Sequence, residues 1–381
     1  MVSSAARLTS VRRLRRLRFA APAVMGALAL AVAGATSASA STPAATTPKV
    51  TATVHVGNNP GAIAVDPRTG DIFVASLNND TVSVISGRTD RVVATARVGG
   101  EPSAIAVSRW TGQVYVANLA SGTVSVISGR TDRVVATVRV GSEPGAIAIS
   151  RWTGQVYVAN RDSDTVSVIS GRTDRVIATV RAGRTPWAVA VSPKTGDVYV
   201  PNIDSATVSV ISGRTDQLVA TVRVGTDPDG VAISPKNGHI YVPNTASGTL
   251  SVICGQTNKV VATRWLGRDL SAVAVNPRTG DVYVPNSASR LVSVISGQTD
   301  TVIASVKVGI EPEGLAISPR AGDVYVSNAS SGTVSVISGQ TSKVIVNLRV
   351  GVGLTQLAVN RATGALYVSN GNVDTVTVIQ G

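Results

Sequence analysis

The chain repeats itself every 42 residues. Arg91 opens RVVATARVGGEPSAIAVSRWTGQVYVANLASGTVSVISGRTD, and Arg133 opens RVVATVRVGSEPGAIAISRWTGQVYVANRDSDTVSVISGRTD. Equivalent starts follow at Arg175, Gln217, Lys259, Thr301 and Lys343, always at the same interval. A period of this length implies a propeller, a solenoid or an array, because one such unit cannot bury its apolar face without its neighbours.

Each unit holds four short runs separated by turns. In the first complete unit these are AIAV (62–65), the turn DPRTGD (66–71), IFVAS, the loop LNND (77–80), TVSVIS, the turn GRTD (87–90) and RVVATARV. The runs are rich in β-branched residues, and Gly, Pro, Asn and Asp punctuate them, which reads as strands joined by hairpins. No apolar stripe of period 3.6 appears, so the helical repeats of similar length are excluded. Four antiparallel strands per unit match one blade of a β-propeller.

The second run reads YVAN at Tyr115 and Tyr157, YVPN at Tyr199, Tyr241 and Tyr283, and YVSN at Tyr325 and Tyr367, with FVAS at Phe73. Together with the flanking AIAVSPxTG and TVSVISGxT stretches, this resembles the YVTN-repeat β-propellers over residues 50–381. The third motif position here is Ala, Pro or Ser rather than Thr. The resemblance implies an all-β propeller serving as an extracellular or surface binding scaffold, and it implies no activity. All seven tyrosines of the protein occupy this one slot. They are expected to pack as large rings in the wedge between blades, and the asparagines that follow, from Asn118 to Asn370, to close the next turn through their side chains.

Eight copies of the first three strands occur, beginning near Gly61, Ser103, Gly145, Trp187, Asp229, Ser271, Glu313 and Thr355. The fourth strand follows a third strand only seven times, and its eighth copy, VTATVHVG (50–57), precedes the first complete set. The expected fold is an eight-bladed propeller in which this N-terminal strand completes the last blade and covers its open edge. Seven blades with one repeat displaced is the alternative.

Ahead of the repeats, residues 1–18 carry six arginines and no acid, an apolar run extends from Phe19 to about Ala33, and Ala38-Ser39-Ala40 offers a small-residue cleavage pattern. This reads as a secretory signal peptide over 1–40, followed by a flexible lead-in at 41–48 and the propeller at 49–381. The apolar run is short for a membrane span and is broken by Pro22 and Gly26. The expected destination is therefore the exterior or the cell surface, without stable membrane insertion once the signal is removed. The arginine pairs leave both the general secretory and the twin-arginine routes open.

Charge separates by end. The turns between strands 1 and 2 carry Arg68, Arg109, Arg151, Lys194, Lys236, Arg278, Arg320 and Arg361. With the 3–4 turns this end counts 17 basic and ten acidic residues, while the opposite loops count four and twelve. The basic turns, with Trp110 and Trp152 beside Arg109 and Arg151, are a candidate surface for a polyanion such as a wall polymer, an acidic glycan or nucleic acid. Arg97, Arg139, Arg181, Arg223, Arg264, Lys307 and Arg349 on the fourth strands are expected to face outward and block edge-to-edge pairing.

The acidic end is where the copies differ most. The link before the first strand changes from GSEPG to GRTPW, placing Arg184 and Trp187 there, then to GTDPD, with Asp227 and Asp229. Asp269, Glu311 and Glu313 follow in the next two copies. Carboxylates beside an indole at the channel mouth would suit a cationic or hydroxyl-rich ligand, or Ca²⁺. No other cofactor is implied. The one cysteine, Cys254, and the two histidines, His55 and His239, form no recognisable nucleophile set or metal centre. The favoured reading is a non-enzymatic binding scaffold for an extracellular polymer or protein; a metal-assisted lyase or hydrolase at the channel mouth is the alternative.

Overall fold

A computed structural model describes residues 47–381. The expected signal peptide and most of the lead-in lie outside the described residues. The chain forms eight four-stranded antiparallel sheets. Seven take their strands in sequence, as in Pro144–Ile149, Val156–Asn160, Thr165–Ser170 and Arg175–Arg181 of blade 3. In the eighth, Leu354–Val359, Leu366–Asn370 and Thr375–Gln380 are completed by Lys49–His55, which pairs antiparallel with Thr375–Gln380. The eight-blade expectation and its closure hold, and the seven-blade alternative falls.

Within blade 3 the ladder runs Ala148, Tyr157, Val168, Ala178 across the four strands. The second strand is buried on both faces, which explains its unbroken apolar run. Its Tyr157 and Ala159 face blade 4, packing with Val168 against Val198, Val200 and Ile211. Small Ala148 opposite the ring leaves it room. The other blades repeat this, so the core is a set of eight wedges rather than one centre.

The tyrosines do more than fill the wedge. Tyr157 donates its hydroxyl to Asp216 at 3.1 Å, in the 3–4 turn of the next blade, and Tyr115 does the same to Asp174 at 3.0 Å. Tyr241 reaches Asp300 at 2.8 Å, Tyr199 reaches Asn258 at 3.0 Å, and Tyr367 closes the ring onto Asp90 at 2.7 Å. The accepting residues sit in the left-handed backbone region, with φ near +54° at Asp216, a conformation that Asp and Asn tolerate. Burial, reinforced by these carboxylates, pushes the phenol pKa values of Tyr115 and Tyr157 well up. Phe73 lacks the hydroxyl, and burial with Asp71 nearby raises the carboxyl of Asp132, the residue at the accepting position.

The asparagines bond as expected. Asn160 donates to Thr165 and Ser167 of the third strand at 3.1 and 3.0 Å. The 1–2 and 3–4 turns interlock at the basic end, where a Cβ on Gly87 would lie 2.0 Å from the Gly70 carbonyl oxygen. One outer-strand expectation is corrected: Arg264 occupies the inward column otherwise held by Ala96, Val138, Val180 and Val222. It donates to the Asp300 carbonyl at 2.7 Å, and Trp265, 75% exposed, takes the outward place.

Candidate functional site

Sameness fails around the channel in blades 4, 5 and 6. Their first strands shrink to Ala190–Val191, Ala232–Ile233 and Ala274–Val275, whereas the other five run six residues, as in Pro144–Ile149. The cause lies one strand away. Pro201, Pro243 and Pro285 hold the third motif position in these three blades. The Pro201 carbonyl accepts from Trp187 N at 3.0 Å, so that residue's hydrogen-bonding side faces the first strand. A proline there has no N–H to complete the ladder. Only the isolated bridges Pro186↔Asn202, Pro228↔Asn244 and Leu270↔Asn286 remain beyond the shortened strands.

Trp187, Asp229 and Ser271 occupy equivalent places on this loosened rim. A hydroxyl at that place serves the ring: Ser103 donates to the Pro144 carbonyl and Ser271 to the Pro312 carbonyl, both at 2.8 Å. Trp187 and Asp229 do not. The indole Nε1 and Asp229 Oδ1 are sealed from solvent with no hydrogen-bond partner. Burial, with the charge of Asp227 adding to it, pushes the Asp229 carboxyl up to about 8, against an opposing contribution from the Thr245 hydroxyl. At neutral pH it is mostly protonated.

Arg161 joins them from the 2–3 loop of blade 3. Its guanidinium lies 3.7 Å from the centre of the Trp187 ring, within cation–π range. The side chain folds back over Gly145, where a Cβ would come 2.2 Å from Nε. Only 6% of Arg161 is exposed, and its Nε is a third buried atom without a partner. Burial lowers its pKa to about 10, with Glu143 pulling the other way. The equivalent residues elsewhere are Leu77, Leu119, Ile203, Thr245, Ser287, Ala329 and Gly371, so an arginine stands in a column of apolar and small residues.

Of the residues expected at this mouth, Trp187, Asp229 and Glu313 share the inner register. Asp227, Asp269 and Glu311 sit one step outward in the link turns, at φ of +61°, +59° and +57°. Their carbonyls accept from Thr245, Ser287 and Ala329 N at 2.9 Å. Arg184 is exposed and donates to the Asp204 carbonyl at 3.0 Å. Glu311 accepts from the Ser330 hydroxyl. Among the described residues no three His, Cys, Asp or Glu gather closely enough to hold a metal.

At the opposite end the turn cations tie one blade to the next. Arg151 Nη2 donates to the Pro193 carbonyl at 2.8 Å, Arg278 to Arg320 at 2.5 Å and Arg320 to Ala362 at 2.6 Å; Lys194 reaches Lys236 the same way. Burial and the charge of Arg109 lower Arg361. Arg68 and Lys236 hold the corresponding places in blades 1 and 5. Trp110 and Trp152 remain 61% and 59% exposed, under Arg109 and Arg151 at 5.2 and 4.5 Å. His239 Nδ1 lies 3.0 Å from Asp300 Oδ2 and pairs across the ladder with Cys254. No hydrogen bond joins its imidazole to the thiol. Gln113 and Gln155 hold the same place and donate to Asp174 and Asp216 at 3.1 and 2.8 Å, so His239 belongs to the inter-blade latch.

No protein-family model and no curated protein matches the chain. Among solved structures it is similar to Kuenenia stuttgartiensis hydrazine synthase, with a TM-score of 0.62 and 19% identity over 74% of this chain and 95% of that one. At that identity the likeness is one of fold.

Proposed function

We propose that the chain is an exported, non-enzymatic binding propeller of the YVTN-repeat type, which takes an extracellular ligand at the channel rim of blades 3 to 5. The observation that carries this is the set of three buried polar atoms without partners, on Arg161, Trp187 and Asp229. Buried polar groups in folded proteins are mostly paired. Partnerless atoms also occur singly elsewhere in the ring, as at Arg151 and Tyr283. Here three side chains of successive blades supply them on one rim, with Arg161 against Trp187, a place where a ligand supplies the missing bonds. Propellers present such sites at the channel because only there can several blades meet one molecule. The Arg-rich, acid-free start of the chain and its Ala38-Ser39-Ala40 pattern support export.

The test is a binding screen of residues 41–381 against glycans, wall polymers and extracellular proteins, repeated with Trp187→Ala. Binding by the parent protein and a loss of about tenfold or more in the variant are expected. A ligand bound equally well by both proteins sinks the rim assignment.

A further inference from the structure

The rim chemistry also selects the ligand's charge, an inference that rests on the binding site just proposed. We propose that the ligand is a hydroxy-carboxylate, its carboxylate held by Arg161 and its hydroxyl by Asp229.

The guanidinium is the decisive group. It is almost wholly buried, among the described residues it forms no ion pair, and its Nε is sealed from solvent with no hydrogen-bond partner. Its contacts are the face of Trp187 and the space over Gly145. Glu143 is the carboxylate it senses, but that residue is exposed in the link turn and does not come within ion-pairing distance. A buried, unpaired cation is costly to keep. A planar carboxylate is the partner whose two oxygens match the guanidinium fork.

The neighbours agree with an anion. The unpaired indole N–H of Trp187 is a donor and nothing else. The rim carboxyl of Asp229, raised to about 8, is largely neutral at pH 7 and does not repel a negative ligand. Its protonated carboxyl can donate through one oxygen and accept through the other, which suits a hydroxyl group. One face of Trp187 is already covered by Arg161, which leaves the indole N–H at its edge as the polar group a ligand can meet. Thus the acidic end carries, on its channel rim, a group of side chains with the opposite preference.

The experiment uses residues 41–381 and isothermal titration with glucuronate, its neutral parent glucose, and inorganic phosphate. The key variant is Arg161→Leu, since Leu77 and Leu119 hold the equivalent place in blades 1 and 2 and folding should be preserved. Glucuronate should bind about tenfold or more tighter than glucose, and Arg161→Leu should erase that preference. Affinity for glucuronate should also weaken between pH 7 and 9 in the parent protein and stay flat in Asp229→Asn. Equal affinity for glucuronate and glucose, or a preference that survives Arg161→Leu, overturns the carboxylate assignment. If Trp187→Ala still abolishes binding of the neutral sugar, the rim site stands without it. Phosphate binding as tight as glucuronate, and equally dependent on Arg161, overturns the hydroxy-carboxylate in favour of a general oxyanion site. Absence of binding by all three probes overturns the proposal as stated, while the broader screen decides the rim itself.

Discussion

Replacing Asp229 by Asn should stabilise the protein, and by more as the pH rises. Burial lifts this carboxyl from 3.8 to about 8. Below pH 3.8 both folded and unfolded chains hold the proton and the group contributes nothing. Between the two values the unfolded chain releases its proton and the folded chain keeps it, so folding grows less favourable by about 1.4 kcal/mol per pH unit at most. Above pH 8 the loss levels off, at a ceiling of about 6 kcal/mol for the full shift. The residue is only half-buried overall, so part of that is relieved by solvent, and we halve it: about 2 kcal/mol at pH 7 and ~3 kcal/mol at pH 8.5. Asparagine keeps the shape and an unpaired polar group but cannot ionise. Urea denaturation at pH 5, 7 and 8.5, followed by tryptophan fluorescence, compares variant with parent under each condition, so every other titrating group cancels. The midpoint difference should widen from pH 5 to 8.5 at constant slope. A difference that is flat with pH, or a variant less stable than the parent, would refute the claim that a desolvated carboxyl sits on this rim. A gain would also identify Asp229 as a residue whose retention costs stability, as binding sites commonly do.

The latches and the prolines give three further outcomes. Tyr157→Phe removes hydroxyl contacts to Asp216 and Gln155, both at 3.1 Å, and should cost about 1–2 kcal/mol in denaturant titration. Phe73→Tyr should gain about 1 kcal/mol by giving Asp132 the donor its equivalents have. Opposite signs in the same assay are required. Pro243→Ala restores the missing N–H, so amides 229–233 should become more protected in hydrogen exchange as the first strand of blade 5 lengthens. Unchanged protection would mean that the proline does not open the rim.

The repeat made the blades, their number and their closure readable, because strand order follows chain order and the displaced strand 50–57 has one empty place to fill. Trp187 and Asp229 were legible as breaks in an otherwise uniform link. Arg161 reads locally as one more loop charge; only its column, where Leu77 and Leu119 hold the equivalent place, sets it apart. The prolines of YVPN were seen as departures from a motif, although each is a missing donor in a ladder. The turn cations read as a free surface because a contact to the residue 42 positions on depends on the rotation between blades, which no local pattern contains.

The tyrosine and cation latches all point the same way around the ring, from each blade to the next. A blade that carries one therefore has a donating side and faces an accepting side, and the five tyrosine and four cation contacts are head-to-tail joints that all run in one direction. Joints of that kind either close on themselves or continue as a filament. Closure here rests on the pairing of Lys49–His55 with Thr375–Gln380. Until that pairing forms, a folding chain offers one unspent donor face and one unspent acceptor face, each complementary to those of another copy. Chains that fail to close have a built-in route to linear assembly, and the last strand to pair decides between a ring and a polymer.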